Sequence, residues 1–494
     1  MTADPNTNLT YDERYVAELE RAVERIWEIA QRFGLDPYPT NFELVPATIM
    51  YEFGSYGLPG RFSHWSRGKA YYRMKTEYDY GLSKIYELVV NTNPSYAFLM
   101  EQNDLLQNKV VVAHVLGHTD FFKHNAYFKH TSGNMIDKVS VNADRIRKYE
   151  FDHGQAAVER FLDAVLAIEE HIDPNFRIKP ESATPQQDNE PKKHADSPYD
   201  DLWSLAERAA RKRDEDIQAW MRTRRRRFPA QPQKDLLLFL AQYAPNLEEW
   251  QRDILMIVRE EMQYFVPQMQ TKVANEGWAS YWHARTMREL DLSDGEFAAF
   301  AQMHSGVLAP QRMRVNPYHL GYHILQDIER RWDNPTEEER VKLGREPGKG
   351  REKLFAVRET ESDVSLLRNY LTKELVEELD LYLYRKEEDE WVIVEKNWEK
   401  VRDGLVASMT NFGYPYITVV DADFNGNTEL VLHHQHEGQD LDLSYAQKTL
   451  EYVQYIWSRP VHLETILEEQ AVRLSYNGEK HSRVALDKGK SKGE

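Results

Sequence analysis

The stretch "VVVAHVLGHTDFFKHN" (residues 110–125) constrains the fold more than any other, because it sets His114 and His118 into a run that is apolar on almost every side. Asp104, followed three residues later by Gln107, has the spacing of a capping box and predicts a helix that runs through both histidines. Residues four apart on such a helix project within about 40° of each other, so the two imidazoles share one face. Val110, Val111, Val112, Ala113, Val115 and Leu116 leave the helix no polar side to offer water, so it must be enclosed by other elements. A chain of 494 residues with 41% hydrophobic and 12% aromatic residues has the material for that enclosure.

The surroundings read as mostly helical, in an α+β class. Val16, Leu19, Val23, Ile26, Trp27, Ala30 and Phe33 form an amphipathic stripe over 11–33 that ends at Gly34. The runs "IYELVVNT" and "SYAFLMEQ", split by the turn signal Asn91 to Pro94, predict two antiparallel strands just before the histidine helix. Helical periodicity returns at 155–171, in "NLEEWQRDILMIVREEMQYFV", "KVANEGWASYWHARTM" and "NPYHLGYHILQDIERRW", and in "SDGEFAAFAQMHSG" with a Ser293–Glu296 capping box. Between these lies Arg177 to Asp200, with four prolines and almost nothing to bury. Beyond 405 the text spells β-hairpin, helix, strand, with Asn425–Gly426 as the hairpin turn. The expected organisation is a core over 10–400 interrupted by an insertion or linker at 177–235, a small C-terminal α/β module at 405–475, and a disordered tail at 476–494.

The absence of cysteine removes disulfides, thiolate metal sites and cysteine nucleophiles, so any metal must use His, Asp or Glu. A formal charge of −18 disfavours phosphate backbones, and no nucleic-acid partner is expected. The arginine run Arg222 to Phe228 reads first as a solvated face. No apolar run reaches the length that crosses a bilayer, and the first residues lack the pattern of a secretion signal. The expected location is the cytoplasm, with no membrane association.

Two imidazoles need further ligands to hold an ion. His124 gives an H-x3-H-x5-H spacing, but Phe121 stands where that pattern requires a turning glycine, and a continuing helix would carry His124 about 120° from His118. The string "VANEGWASYWH" (273–283) resembles the helix of gluzincin metallopeptidases that supplies the third zinc ligand. That resemblance adds Glu276 to His114 and His118. Spacings of four and seven put Ser280 and His283 on the face of Glu276, where either supports the ligands from behind or serves as an occasional fourth, with His124 a weaker candidate for the supporting role. It implies zinc or another divalent metal, a zincin-like core, and an edge strand beside the metal helix that binds substrate by strand addition. In H-E-x-x-H the glutamate is the general base, and Val115 occupies its place. Glu260, Glu261 and Asp120 are the substitutes nearest in sequence. The same histidines also read as core residues hydrogen-bonded to a buried carboxylate, Glu276 among the candidates. Either one of the three carboxylates substitutes and the chain is a peptidase-like zinc hydrolase without its usual base, or the metal acts structurally or as a sensor, or the histidines are core residues and the chain is not an enzyme. His319 with His323, and His433 with His434, read as incidental pairs, the latter on opposite faces of a strand.

Taken together, "FELVPATIMYEFGSYGLPGRFSHWSRGK" (42–69), "HVLGHTDFFKHN" (114–125), "NEGWASYWH" (275–283), "NPYHLGYHILQDIERRW" (316–332) and "YPYITVVDADFNGNTELVLHHQHEG" (414–438) make the chain resemble the SpoVR family. This is the stage V sporulation protein R group with its YcgB-like relatives. The resemblance implies a link to spore cortex formation or stress response. It also implies an alternative, non-enzymatic role as regulatory or assembly partner of a PrkA-type serine protein kinase and a von Willebrand A-like protein.

Overall fold

The structure is a computed structural model that describes residues 11–79, 87–175, 228–311, 315–387 and 390–486. The Pro-rich segment 177–200 and the arginines at 222–227 lie outside the described residues. The fold is mostly helical α+β, and no helix among the described residues is long and apolar enough to cross a membrane.

Contacts divide the chain into two units, 1–152 with 263–413, and 153–262 with 414–494. The first opens with helix Tyr11–Arg32, stopped by Gly34 at φ +83°. Its sheet has the order β1-β3-β2, where β1 is Thr40–Val45, β2 Leu88–Val90 and β3 Ser95–Met100. β2 and β3 pair antiparallel as the turn at Asn91 to Pro94 predicts, while β1 lies parallel on the other side of β3, Thr40 opposite Ser95. A two-stranded ladder, β4 (Leu383–Glu387) with β5 (Glu390–Glu395), completes the strands described in this unit.

Helix Leu105–His124 starts in the predicted capping box, and fourteen of its residues, Leu106 to Phe122, are buried. Helix Lys272–Glu289 packs against it where small residues meet: a Cβ added to Gly117 would lie 2.7 Å from Ala279 Cα. On its other side, helix Pro317–Asp333 approaches so closely that a Cβ on Gly277 would lie 2.5 Å from the Gly321 carbonyl carbon. Glycine is required at both crossings because backbone, not flexible side chain, fills the space. Gly117 sits between the two histidines and Gly277 next to Glu276, so these contacts set the distance between the imidazoles and the carboxylate. Trp278, Tyr281 and Trp282 anchor the middle helix in the core.

The second unit holds helices Gln155–Leu166 and Leu236–Tyr243 and a five-stranded sheet of order β10-β9-β8-β7-β6. β6 (Ile417–Phe424) and β7 (Glu429–His434) form the hairpin, and helix Leu443–Trp457 leads to β8 (Val461–Leu467) parallel to β7. Two strands extend this pattern, β9 (Gln470–Tyr476) and β10 (His481–Ala485), both antiparallel. The expected boundaries shift accordingly. The module begins at Tyr414 rather than 405 because helix Trp398–Met409 belongs to the first unit. It is not free-standing, since residues 153–262 share its unit. The expected tail from 476 is ordered as far as β10, whose pairing with β9 supplies backbone partners that its polar side chains do not advertise. The end of the expected linker is also structured: Gln233 bridges Val419, and Asp235 caps Leu236–Tyr243.

Candidate metal centre

Four side chains converge in the first unit. Glu87 Oε1 lies 3.2 Å from His114 Nε2 and 3.5 Å from His118 Nε2, and Glu276 Oε2 lies 3.4 and 3.3 Å from the same two atoms. All four ligand atoms fall within 4.8 Å of one another. Metal bonds of about 2.0 Å in tetrahedral geometry put ligand atoms about 3.3 Å apart, so one ion fits the space these atoms enclose. Two imidazoles with two carboxylates match zinc or another first-row metal better than magnesium or calcium, which favour all-oxygen sites.

The remaining ring nitrogens are held from behind, as metal-ligating histidines require. His118 donates from Nδ1 to Asn275 Oδ1 at 2.9 Å. His114 Nδ1 meets His283 Nδ1 at 2.7 Å, and His283 Nε2 meets His304 Nδ1 at 2.9 Å. With Nε2 of His114 facing the cluster, the network assigns its proton to Nδ1 and the next one along to His283 Nε2. Lys272 donates to Glu276 Oε1 at 2.6 Å, leaving Oε2 for the cluster. Asp363 accepts from the Ala274 backbone at 2.9 Å and so fixes the start of the glutamate helix.

Electrostatics reflect this crowding. Burial opposes charge on Glu87, yet the two histidines beside it hold its carboxyl at about 2. Burial likewise pushes His118 down, but the Glu276 and Glu87 carboxylates lift it to about 10. His114 is raised by the same partners against its own burial. Glu276 lies well below the usual carboxylate range despite burial, with Lys272 and His118 responsible. Burial, and then the neighbouring His114 and His304, depress His283. Imidazoles and carboxylates lie close together in a largely buried site, the condition under which removing one member leaves the others without their partners.

A cavity of about 760 Å³ opens beside the cluster, reached by Glu87, His114, His283 and His304 and walled by Met269, Met303, Val307, Met409 and Phe412 among others. Tyr318 lines it with its ring 6.0 Å from that of His114, and burial with the nearby Glu276 and Glu87 raises its phenol, which stays protonated.

The sequence-predicted residues separate clearly. His114, His118 and Glu276 come together, and His283 stands directly behind His114. Ser280 is fully buried on the same helix, its hydroxyl without a hydrogen-bond partner among the described residues. His124 points elsewhere, to Asp36 at 3.2 Å. Asp120 is fully buried away from the cluster, where it accepts from Arg358 at 2.9 Å, Trp278 Nε1 at 2.9 Å and the Asp36 backbone at 2.8 Å, so it is a structural carboxylate rather than a substitute base. Glu260 and Glu261 fall in the other unit. The carboxylate that joins Glu276 at the imidazoles is Glu87, which sequence reasoning missed. Its signal was a single acid inside the apolar run "IYELVV", where an edge strand begins.

Comparison with known proteins fits these motifs. The family model described as SpoVR like protein matches residues 13–414, and that of the SpoVR-like C-terminal domain matches 415–468. The chain belongs to the SpoVR family. The boundary between the two family models coincides with the start of the second unit's sheet segment at Tyr414. This SpoVR chain is 29% identical over 486 residues to "Uncharacterized protein YcgB" of Escherichia coli (strain K12), covering 93% of the chain and 92% of that protein. No solved structure matches.

Proposed function

We propose that this SpoVR-family chain binds one divalent metal ion, zinc by preference, through His114, His118, Glu276 and Glu87, and uses it to hydrolyse an amide-type substrate held in the adjoining cavity. The observation that carries this reading is the set of four cross-distances of 3.2 to 3.5 Å between imidazole and carboxylate atoms. A divalent ion at this place supplies Lewis acidity toward a carbonyl. His114 and His118 offer Nε2 lone pairs, Asn275 and His283 orient the rings, and Lys272 keeps Glu276 turned inward. Glu87 is the most accessible of the four, its side chain 19% exposed against 4–6% for the others, and it lines the cavity. An incoming substrate therefore meets Glu87 first, and its displacement of that carboxylate would open the coordination position that Lewis acidity toward a carbonyl requires. Tyr318 presents a phenolic proton to a polarised oxygen. The zincin-like arrangement belongs to this proposal and is supported by the order of β2, β3, histidine helix and distant glutamate helix. The setting is a cytoplasmic pathway of sporulation, spore cortex formation or stress response, on the strength of the family name.

A second reading has its own support. Four side-chain ligands close a coordination sphere, as in structural zinc sites. In that case the ion stabilises the fold, and the chain serves as a non-enzymatic partner of a PrkA-type kinase and a von Willebrand A-like protein. Metal analysis of purified wild type, His114→Ala and Glu276→Ala decides between metal and no metal. About one equivalent of zinc in wild type and little in either variant is expected, whereas folded, metal-free wild type removes the ion from both readings and leaves only the non-enzymatic partner role. Amide hydrolysis by the loaded protein then separates enzyme from structural site.

A further inference from the structure

The cavity beside the cluster has a lining that selects a ligand class. Its walls are drawn from separate helices: Met269 from Glu249–Gln270, Met303 and Val307 from Asp294–Val307, and Met409 from Trp398–Met409. Methionine is flexible and polarisable, and three of them give a wall that adapts to an unbranched apolar chain. A volume of about 760 Å³ accommodates a small-molecule ligand of ordinary size.

Five of the eleven polar side chains in the lining are already committed. Asn316 spends its amide on the Val307 and Ala309 carbonyls, at 2.9 and 3.0 Å, and its oxygen on the Tyr318 and His319 backbone. Asp363 is taken by the Ala274 N–H, Ser408 by the Leu405 carbonyl, and Lys272 by Glu276. His283 is bound on both nitrogens. A peptide running through this space would carry an amide donor and acceptor at every residue and find few partners for them, and an unpaired buried polar group is costly. A polymethylene chain asks for none.

We infer that the cavity binds the aliphatic chain of an N-acyl compound, with its amide head at the end where His114 and Glu87 lie. The inference deepens the proposed hydrolase by naming its substrate class, and rests on that reading only for what happens to the amide. Binding of the chain itself needs no ion.

Isothermal titration of the full chain, with and without added zinc, compares N-decanoylglycine with N-acetylglycine, two amides that share a head and differ in chain length. The longer compound is expected to bind at least about 100-fold more tightly, since each buried methylene adds favourable transfer free energy. Met303→Lys and, independently, Met409→Lys are expected to erase the difference, while Met303→Leu retains it. Equal affinity for both amides overturns the inference, as does tighter binding of an apolar dipeptide amide such as acetyl-leucyl-leucinamide. Failure to bind zinc with the chain-length preference intact removes the metal reading alone.

Discussion

His118 and Asn275 are joined by a 2.9 Å hydrogen bond from Nδ1 to Oδ1, and Asn275 precedes Glu276 in the chain. One turn of the helix Lys272–Glu289 thus supplies both a ligand and the group that orients another ligand. Asn275→Ala is expected to weaken zinc binding by about 10- to 100-fold without abolishing it, and Asn275→Asp to restore most of the loss. Competition with a chelator of known affinity measures both.

The glycine crossings predict a stability contrast. Gly277→Ala forces a methyl into the Gly321 backbone and is expected to destabilise by about 1–3 kcal/mol or more. Gly306→Ala, in a helix with nothing within 4 Å of the added carbon, is expected to be neutral or stabilising by up to about 1 kcal/mol. Thermal unfolding midpoints read the difference, and equal midpoints would contradict the close helix approach.

Asp120 and Arg358 form a buried ion pair at 2.9 Å, with 0 and 5% side-chain exposure. Asp120→Asn leaves the guanidinium with only the exposed Glu359, 3.2 Å from Nη2, as a charged partner and is expected to cost about 3 kcal/mol. Zinc per folded molecule should stay unchanged, because Asp120 takes no part in the cluster. A drop in zinc stoichiometry with stability intact would return Asp120 to the site.

In the second unit His171 is buried, its Nδ1 without a hydrogen-bond partner among the described residues, and burial, then Lys234 and His434, lower it from 6.5 to about 3. Burial and the neighbouring His436 and His433 lower His434 to about 4. Both stay neutral in the folded chain while the unfolded chain takes up protons below about 6.5. Their contribution is therefore complete above that pH and is lost progressively as pH falls toward 3 to 4. Urea midpoints for this unit should fall across that window, and His171→Asn should flatten the decline. An unaltered acid limb in the variant would show that His171 does not drive it.

Local signals in the sequence carried far. The Asp104–Gln107 and Ser293–Glu296 boxes start their helices. Asn425 and Gly426 both adopt the positive φ that the hairpin turn demands, and alternation puts His434 inside while His433 faces out. The triad His114, His118 and Glu276 was readable because helical spacing and a resemblance of motif both bear on it. What escaped depends on pairing between distant segments. β1 finds its parallel partner 50 or so residues on, and β10 has no apolar face to mark it, four of its five residues being exposed. Glu87 escaped because a lone acid in an apolar strand reads as a break in the pattern until an imidazole pair is seen opposite it.

The cluster is also assembled out of order along the chain. Its histidines precede residues 153–262, which build the other unit, and Glu276 follows them. During synthesis Glu87 and the histidines therefore leave the ribosome first, and more than a hundred residues assigned to the other unit follow before the second acid of the cluster appears. A nascent chain halted in that interval displays a greasy, half-clad helix, which makes the interval the natural place for a chaperone to intervene.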